Sequence, residues 1–242
     1  MFYGPFLFIY TLIALAFLAA IIVLVEIEVI TYAFLVLGLS PRVAFFALFA
    51  CLIGSYINIP LYTVSSGAPV TALVVTNFGV VYRIPYEYAR GGTTVAINVG
   101  GAVVPILIAL YALWKNPRAI LPSIVGVAAV AYITYHMAHP VRGVGIELPL
   151  FVPPLAAALI AMALGLLMSV PTRLHIIAYV SGVLGTLIGA DLMNLGRIAN
   201  LGAPVASIGG AGTFDGVFLT GIVAVLIAAI PFAGSRSGSS GG

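Results

Sequence analysis

The chain has 242 residues, of which 63% are hydrophobic and only 6% are charged, and its mean hydropathy is +1.25. Soluble domains carry about a quarter charged residues, so the composition excludes an ordinary soluble protein and predicts an integral membrane protein in a lipid bilayer. The net charge of +3 includes no basic run that could follow a nucleic-acid backbone, which excludes nucleic acid as a partner. A single cysteine, Cys51, excludes an internal disulfide.

A membrane-spanning helix needs about 20 apolar residues, and on this criterion the sequence predicts an all-α fold with about seven spans. They lie near residues 4–25, 42–59, 94–114, 119–138, 149–169, 174–193 and 214–232. We therefore expect a multi-pass protein of the cell membrane. Residues 1–233 would form one transmembrane domain, and residues 234–242 a flexible tail rich in glycine and serine.

The segment between the first two spans is too short to cross the membrane again. Glu26 and Glu28 precede an apolar pattern that suits a short helix lying at the membrane interface, and Gly38 can end that helix. The alternative is one long tilted helix that runs from the N-terminus to Leu37. Ser40-Pro41 is typical of the N-cap and first turn of the next helix.

A small β-hairpin is predicted between the second and third spans. Residues 70–76 and 80–84 are rich in valine and other β-branched residues, and Asn77-Phe78-Gly79 lies between them. We expect this hairpin to lie outside the bilayer.

Two pairs of segments resemble each other and suggest an internal repeat. Residues 51–58 resemble residues 186–194, and residues 92–102 resemble residues 209–219. The hypothesis is a parallel repeat of three spans, one linker span and three spans, with halves 1–114 and 149–233. Asn98 of the first copy then corresponds to Asp215 of the second, so that the first copy is neutral there.

The seven-span arrangement places most polar side chains at span ends on one membrane face. The predicted substrate- or ion-binding residues are Asp191, Asn194, Asp215, Asn58 and Asn98. An ionisable group in a membrane is costly and is therefore a functional hypothesis by default. The alternative is that these are solvated loop residues, with Asp215 complementing the dipole of a helix start. Asp191 at a helix C-terminus needs a partner, for which Arg197, Arg142, a proton or a cation are candidates.

His136 and His139 form a pair three residues apart that could bind a metal ion together with Glu147. The pair is a weak signal because structural zinc needs four ligands and catalytic zinc usually three. The glycine-rich run at residues 209–212 lacks the lysine of a phosphate-binding loop, so nucleotide binding is not expected. No cofactor is predicted.

Several motifs resemble those of one known family. They are the run Ala206–Gly216 (ASIGGAGTFDG), Ile188–Leu192 (IGADL), Leu37–Pro41 (LGLSP), Ile57–Pro60 (INIP) and Asn98–Gly101 (NVGG). Together they resemble the prokaryotic membrane family known as domain of unknown function 1614. The resemblance covers most of the chain and implies a polytopic membrane protein of archaea and bacteria. It implies no activity.

Three functions remain open on the sequence. The first is a carrier or channel for a small cation, a proton or a polar solute, although carriers usually bind at the membrane midplane. The second is an intramembrane aspartyl protease in which Asp191 and Asp215 share a proton as the catalytic pair. Ala190 before the first acid and Thr213-Phe214 before the second depart from the presenilin-like pattern. The third is a non-catalytic scaffold or assembly factor, and oligomeric partners are left open.

Overall fold

The computed structural model describes residues 4–64, 74–77, 80–83, 92–141, 145–198, 205–210 and 216–233. Within these residues the helices α1–α8 are Gly4–Val36, Pro41–Gly54, Val104–Lys115, Ile120–Met137, Val152–Leu167, Leu174–Thr186, Leu195–Ile198 and Gly216–Ala233. The strands β1–β7 are Asn58–Val64, Val74–Asn77, Val80–Arg83, Thr93–Asn98, His139–Val141, Gly145–Glu147 and Val205–Ile208. Two π-helical segments, Val99–Val103 and Leu187–Asp191, precede α3 and follow α6. The predicted tail at 234–242 lies outside the described residues.

Among the described residues, three helical stretches are long and apolar enough to cross a membrane, namely Thr11–Val36, Pro117–Met137 and Pro171–Arg197. Four other apolar helices are shorter: Pro41–Gly54, Val99–Lys115, Val152–Leu167 and Gly216–Ala229. These findings and the composition indicate a membrane protein. The prediction of seven membrane-spanning helices is not confirmed.

The predicted span at residues 94–114 is the clearest departure from an all-helical chain. Its first part is strand β4, which is followed by the π-helical segment Val99–Val103 and only then by α3. Thr93, Thr94, Val95 and Ile97 are β-branched and favour an extended backbone, although the window as a whole is as apolar as a helix. The all-α prediction is therefore wrong at this point.

Strand β4 lies in the middle of a three-stranded sheet of order β1-β4-β7. It pairs antiparallel with β1, where Asn58 lies opposite Asn98, and parallel with β7, where Ile97 lies opposite Ile208. The parallel pairing brings the carboxyl ends of β4 and β7 to the same edge of the sheet. The predicted hairpin between the second and third spans is confirmed, since β2 and β3 pair antiparallel.

Helix α1 is continuous through the region predicted to hold a separate interfacial helix. That prediction is wrong, and the long helix that was its alternative is the one formed. No glycine or proline interrupts the chain near Glu26, and Ile30, Ala33, Phe34 and Leu37 are buried at helical spacing. Gly38 then adopts a φ of +91°, and α2 begins at Pro41 as predicted.

Helix α6 lies at the centre of the bundle and is buried along almost its whole length. Its neighbour α4 runs parallel to it, because the two helices touch at a constant offset in sequence. The contacts are Gly126 with Ser181, Val130 with Gly185, and Thr134 with Gly189. Glycine on one helix faces a larger side chain on the other each time, which lets the two backbones approach closely.

The repeat with halves 1–114 and 149–233 stays a prediction. The structure adds that β4 and β7, which belong to the two halves, are parallel neighbours. Each is also the last described strand before an apolar helix, α3 and α8 respectively.

Candidate functional site

Asp191 is the last residue of the π-helical segment that continues α6. It is partly buried, and its Oδ2 accepts a 2.8 Å hydrogen bond from the backbone N–H of Gly209. Within the described residues its other oxygen, Oδ1, accepts no hydrogen bond. The carboxyl group is thus held at Oδ2, while Oδ1 has no partner in the part of the chain that the structure describes.

Gly209 follows β7 directly, in a place that only glycine fits without strain. Its φ is +88°, a conformation that costs about 1–2 kcal/mol in residues with a Cβ. A Cβ here would also lie 2.7 Å from Cβ of Ala102 and 2.8 Å from its backbone nitrogen. The end of β7 therefore lies directly on the π-helical segment that precedes α3, while the N–H of Gly209 points to Asp191.

Asn98 ends β4 and caps that same π-helical segment. Its Oδ1 accepts a 2.7 Å hydrogen bond from the N–H of Gly101, and its Nδ2 donates to the carbonyl of Ser55 at 2.7 Å and to Oδ1 of Asn58 at 3.1 Å. The side chain is only 1% exposed, so the protein satisfies a buried amide almost completely. Asn98 consequently joins α2, β1 and the start of α3 and acts as a positioning residue.

Asn58 and Ser207 link the two outer strands across β4. Oδ1 of Asn58 accepts a second hydrogen bond, at 2.6 Å, from the hydroxyl of Ser207 on β7. Asn58 is exposed and Ser207 is half-buried, so this pair lies at the more accessible side of the cluster. We call the group Asn58, Asn98, Asp191, Ser207 and Gly209 the polar junction.

Both π-helical segments of the described chain meet at the polar junction. Val99–Val103 begins beside Asn98, and Leu187–Asp191 ends at the acid itself. Such segments are rare in proteins and occur frequently at functional sites. Each contains glycine next to alanine, Gly100-Gly101-Ala102 in one and Gly189-Ala190 in the other, and the lack of bulk permits close contact with neighbouring backbone.

Asn194 has a structural role beside the junction. It is fully buried, and its Nδ2 donates to the carbonyls of Gly189 and Ala190 at 3.1 and 3.0 Å, which closes the widened end of α6. Its Oδ1 accepts from Arg197, whose guanidinium also donates to the hydroxyl of Tyr135 and lies over that ring. Arg197, a predicted partner of Asp191, therefore bonds elsewhere, and the partner found is a backbone N–H.

Asp215 and Arg142 lie outside the described residues. The metal candidates lie within the described residues, where His136 contacts the carbonyl of Tyr132 and His139 lies opposite Glu147 across the β5–β6 pair. In the part of the chain that the structure describes, no three histidine, cysteine or acidic side chains are grouped so as to hold a metal ion.

Three members of this neighbourhood were not predicted as site residues, namely Ser55, Ser207 and Gly209. Ser207 and Gly209 flank Ile208 in the motif that carries the family resemblance, so their local pattern was visible. Their role could not be read from the sequence, because it depends on the pairing of β7 with a strand more than a hundred residues earlier in the chain.

The polar junction offers oxygen atoms to a ligand. Oδ1 of Asp191 has no partner among the described residues, and the hydroxyl oxygen of Ser207 and the amide nitrogen of Asn58 lie on the strands of the same junction. Oxygen donors of this kind suit a hard cation, a proton or a small hydrogen-bonding solute. No cysteine or histidine belongs to the group, so soft metal ions are poorly matched.

The model of the family described as protein of unknown function (DUF1614) matches residues 52–227 of the chain. The match includes the polar junction and four of the five motifs on which the resemblance was based; Leu37–Pro41 precedes it. No curated protein and no solved structure matches the chain.

Proposed function

Because the chain belongs to the DUF1614 family, whose function is unknown, we propose a function from the site itself. The protein is a carrier or channel in the cell membrane, with several membrane-crossing segments. It moves a small cation, a proton or a small polar solute, and the polar junction is its binding site.

The observation that carries this proposal is the state of Asp191. An acid packed among the helices of an apolar membrane bundle is costly and is rarely kept without a use, and Asp191 is such an acid, whereas Glu28 on α1 is exposed. A purely structural carboxylate would be expected to engage both oxygens, whereas Asp191 is held by Gly209 at Oδ2 and has no described partner at Oδ1.

Broken elements beside the acid support the same function. The backbone of β4 is extended where a membrane helix was expected, and α3 starts only after it. Extended backbone at membrane depth is tolerated where protein covers it or where it lines a water-filled cavity. Carriers use such interruptions to turn helix ends and free backbone groups toward a solute.

The residues of the junction divide into two roles under this proposal. Asp191 binds the ligand through Oδ1, the oxygen that Gly209 does not contact, and Asn58 and Ser207 offer further polar contacts on the accessible side. Asn98 and Asn194 use their side chains on the protein itself and hold the surrounding backbone in place. Asp215 is a further candidate ligand from the sequence.

The test is flux through the purified protein in liposomes, with interior pH and the alkali cations as separate readouts. The wild type is compared with Asp191→Asn, which keeps the size of the side chain. Glu28→Gln is the matched control, because Glu28 is an exposed acid on α1. Loss of flux in Asp191→Asn but not in Glu28→Gln supports the proposal. The proposal fails if wild-type flux equals that of empty liposomes.

One contact favours a second candidate, an intramembrane aspartyl protease. Asp191 binds Gly209, which opens the glycine-rich run that leads to Asp215 six residues later. Two acids that share a proton could then act as base and acid. Cleavage of single-span reporter substrates, lost in both Asp191→Asn and Asp215→Asn, would support this candidate, and cleavage that survives either substitution would exclude it.

A further inference from the structure

Three hydroxyl groups on the central helix α6 are buried and have no hydrogen-bond partner among the described residues. They belong to Tyr179, Ser181 and Thr186, and Ser123 on α4 is in the same state. Buried hydroxyls normally pair with protein groups or with ordered water, and a buried tyrosine hydroxyl in particular finds a partner.

Neighbouring threonines show that the helices themselves can satisfy such groups. Thr134 donates to the carbonyl of Val130 at 2.9 Å, and Thr220 donates to that of Gly216 at 2.6 Å. Both bonds reach back one helical turn, as threonines in apolar helices commonly do. Thr186 also lies in a helical stretch but makes no such bond, so its hydroxyl remains available to another molecule.

Tyr179, Thr186 and Asp191 lie along one face of α6. Thr186 follows Tyr179 by seven positions, which corresponds to about two turns and about 10 Å of helix. The segment after Thr186 is π-helical, and residues five apart in a π-helix are bonded neighbours one turn apart. Thr186 therefore lies one helical turn before Asp191, on the same side of the helix. Ser181 instead faces Gly126 on α4.

We infer that Tyr179 and Thr186 hold a chain of water molecules inside the helix bundle and that this chain reaches Asp191. The inference rests on the proposed function and deepens it, because the chain supplies the route by which a proton or hydrated solute reaches the acid from within the bundle. Water fits the site because a water molecule can both donate hydrogen bonds to hydroxyl groups and accept them. A buried water typically makes two to four such bonds to polar groups.

The direct test is millisecond hydroxyl-radical labelling, in which irradiated water oxidises the side chains it touches. The full-length protein in lipid nanodiscs is exposed and the oxidised residues are quantified by mass spectrometry. Tyr179 and Phe34 are both fully buried aromatic residues, so Phe34 is the internal reference. We expect Tyr179 to be oxidised about tenfold faster than Phe34, since only Tyr179 would contact bound water.

Two variants separate a water chain from a reactive tyrosine. Thr186→Val keeps the shape of the side chain and should lower the oxidation rate of Tyr179 severalfold. Thr220→Val, whose hydroxyl is already bonded to Gly216, should leave it unchanged. Oxidation of Tyr179 as slow as that of Phe34, or indifferent to Thr186→Val, would overturn the inference.

The outcome is independent of transport. Labelling at Tyr179 in a protein without flux would contradict the proposed function and leave the water chain standing. Flux without labelling would support the proposed function and overturn the water chain.

Discussion

The backbone N–H of Gly209 donates a 2.8 Å hydrogen bond to Oδ2 of Asp191. The bond joins the end of strand β7 to the end of helix α6 and so fixes the one acid that the structure places in the polar junction. The second carboxylate oxygen has no partner within the described ranges, which is the basis of the proposed binding site.

Gly209→Ala should destabilise the protein by about 2 kcal/mol or more, because the left-handed backbone and the contact with Ala102 both oppose a Cβ. The measurement is unfolding of the purified protein in detergent micelles. Gly216→Ala is the control, since a Cβ there meets nothing within 4 Å. Equal stability of the two variants would show that β7 does not end against the π-helical segment.

Asn98→Ala should cost about 2–4 kcal/mol, because it removes three hydrogen bonds and leaves the N–H of Gly101 and the carbonyl of Ser55 unpaired inside the protein. Unfolding in detergent measures this loss. Thr63→Ala on the same sheet removes only an exposed 3.4 Å contact with Thr94 and should change stability by less than about 0.5 kcal/mol. A loss no larger than that of the control would contradict the capping role of Asn98.

Gly185→Ala tests the close packing of α4 against α6. A Cβ at residue 185 would lie 2.6 Å from Cβ of Val130, so the helices must separate, at a cost of about 1–3 kcal/mol. Gly196→Ala, where the added Cβ is unobstructed, should be neutral or slightly stabilising. If Gly185→Ala melts at or above the wild-type temperature, the parallel contact of the two helices is not as described.

The parallel pairing of β4 with β7 can be tested by cross-linking. In a background of Cys51→Ala, the pair Thr94→Cys and Val205→Cys should form a disulfide on mild oxidation, because these residues are direct neighbours in the sheet. The pair Thr94→Cys and Ala206→Cys should not, since adjacent residues of a strand point to opposite faces. The disulfide is detected as a change in the gel mobility of the oxidised protein. If only the second pair cross-links, β7 pairs with β4 in another register.

What the sequence predicted well was local. Gly38 and Ser40-Pro41 mark the end of α1 and the start of α2, and β-branched runs around Asn77-Phe78-Gly79 mark the hairpin, because each signal needs only a few neighbouring residues. Asp191 was singled out because an acid in an apolar segment stands out in any sequence, and its role as a binding residue stays a prediction.

What the sequence did not predict depends on contacts between distant segments. Residues 93–98 are apolar enough for a membrane helix, and their extended form is stabilised by β1 and β7, which lie far away in the chain. The partner of Asp191 is a backbone N–H, and no residue type identifies such a donor in advance. Asn98 and Asn194 were predicted as ligands, yet their buried amides satisfy backbone groups nearby.

The most direct test of the central claim is the initial rate of flux in liposomes that hold equal amounts of wild type, Asp191→Asn and Glu28→Gln. We predict that Asp191→Asn loses at least about 90% of the wild-type rate, because a tenfold change corresponds to one charge-assisted contact of about 1.4 kcal/mol. Glu28→Gln should keep the full rate. Flux in Asp191→Asn equal to that of the wild type would contradict the assignment of Asp191 as the ligand-binding residue.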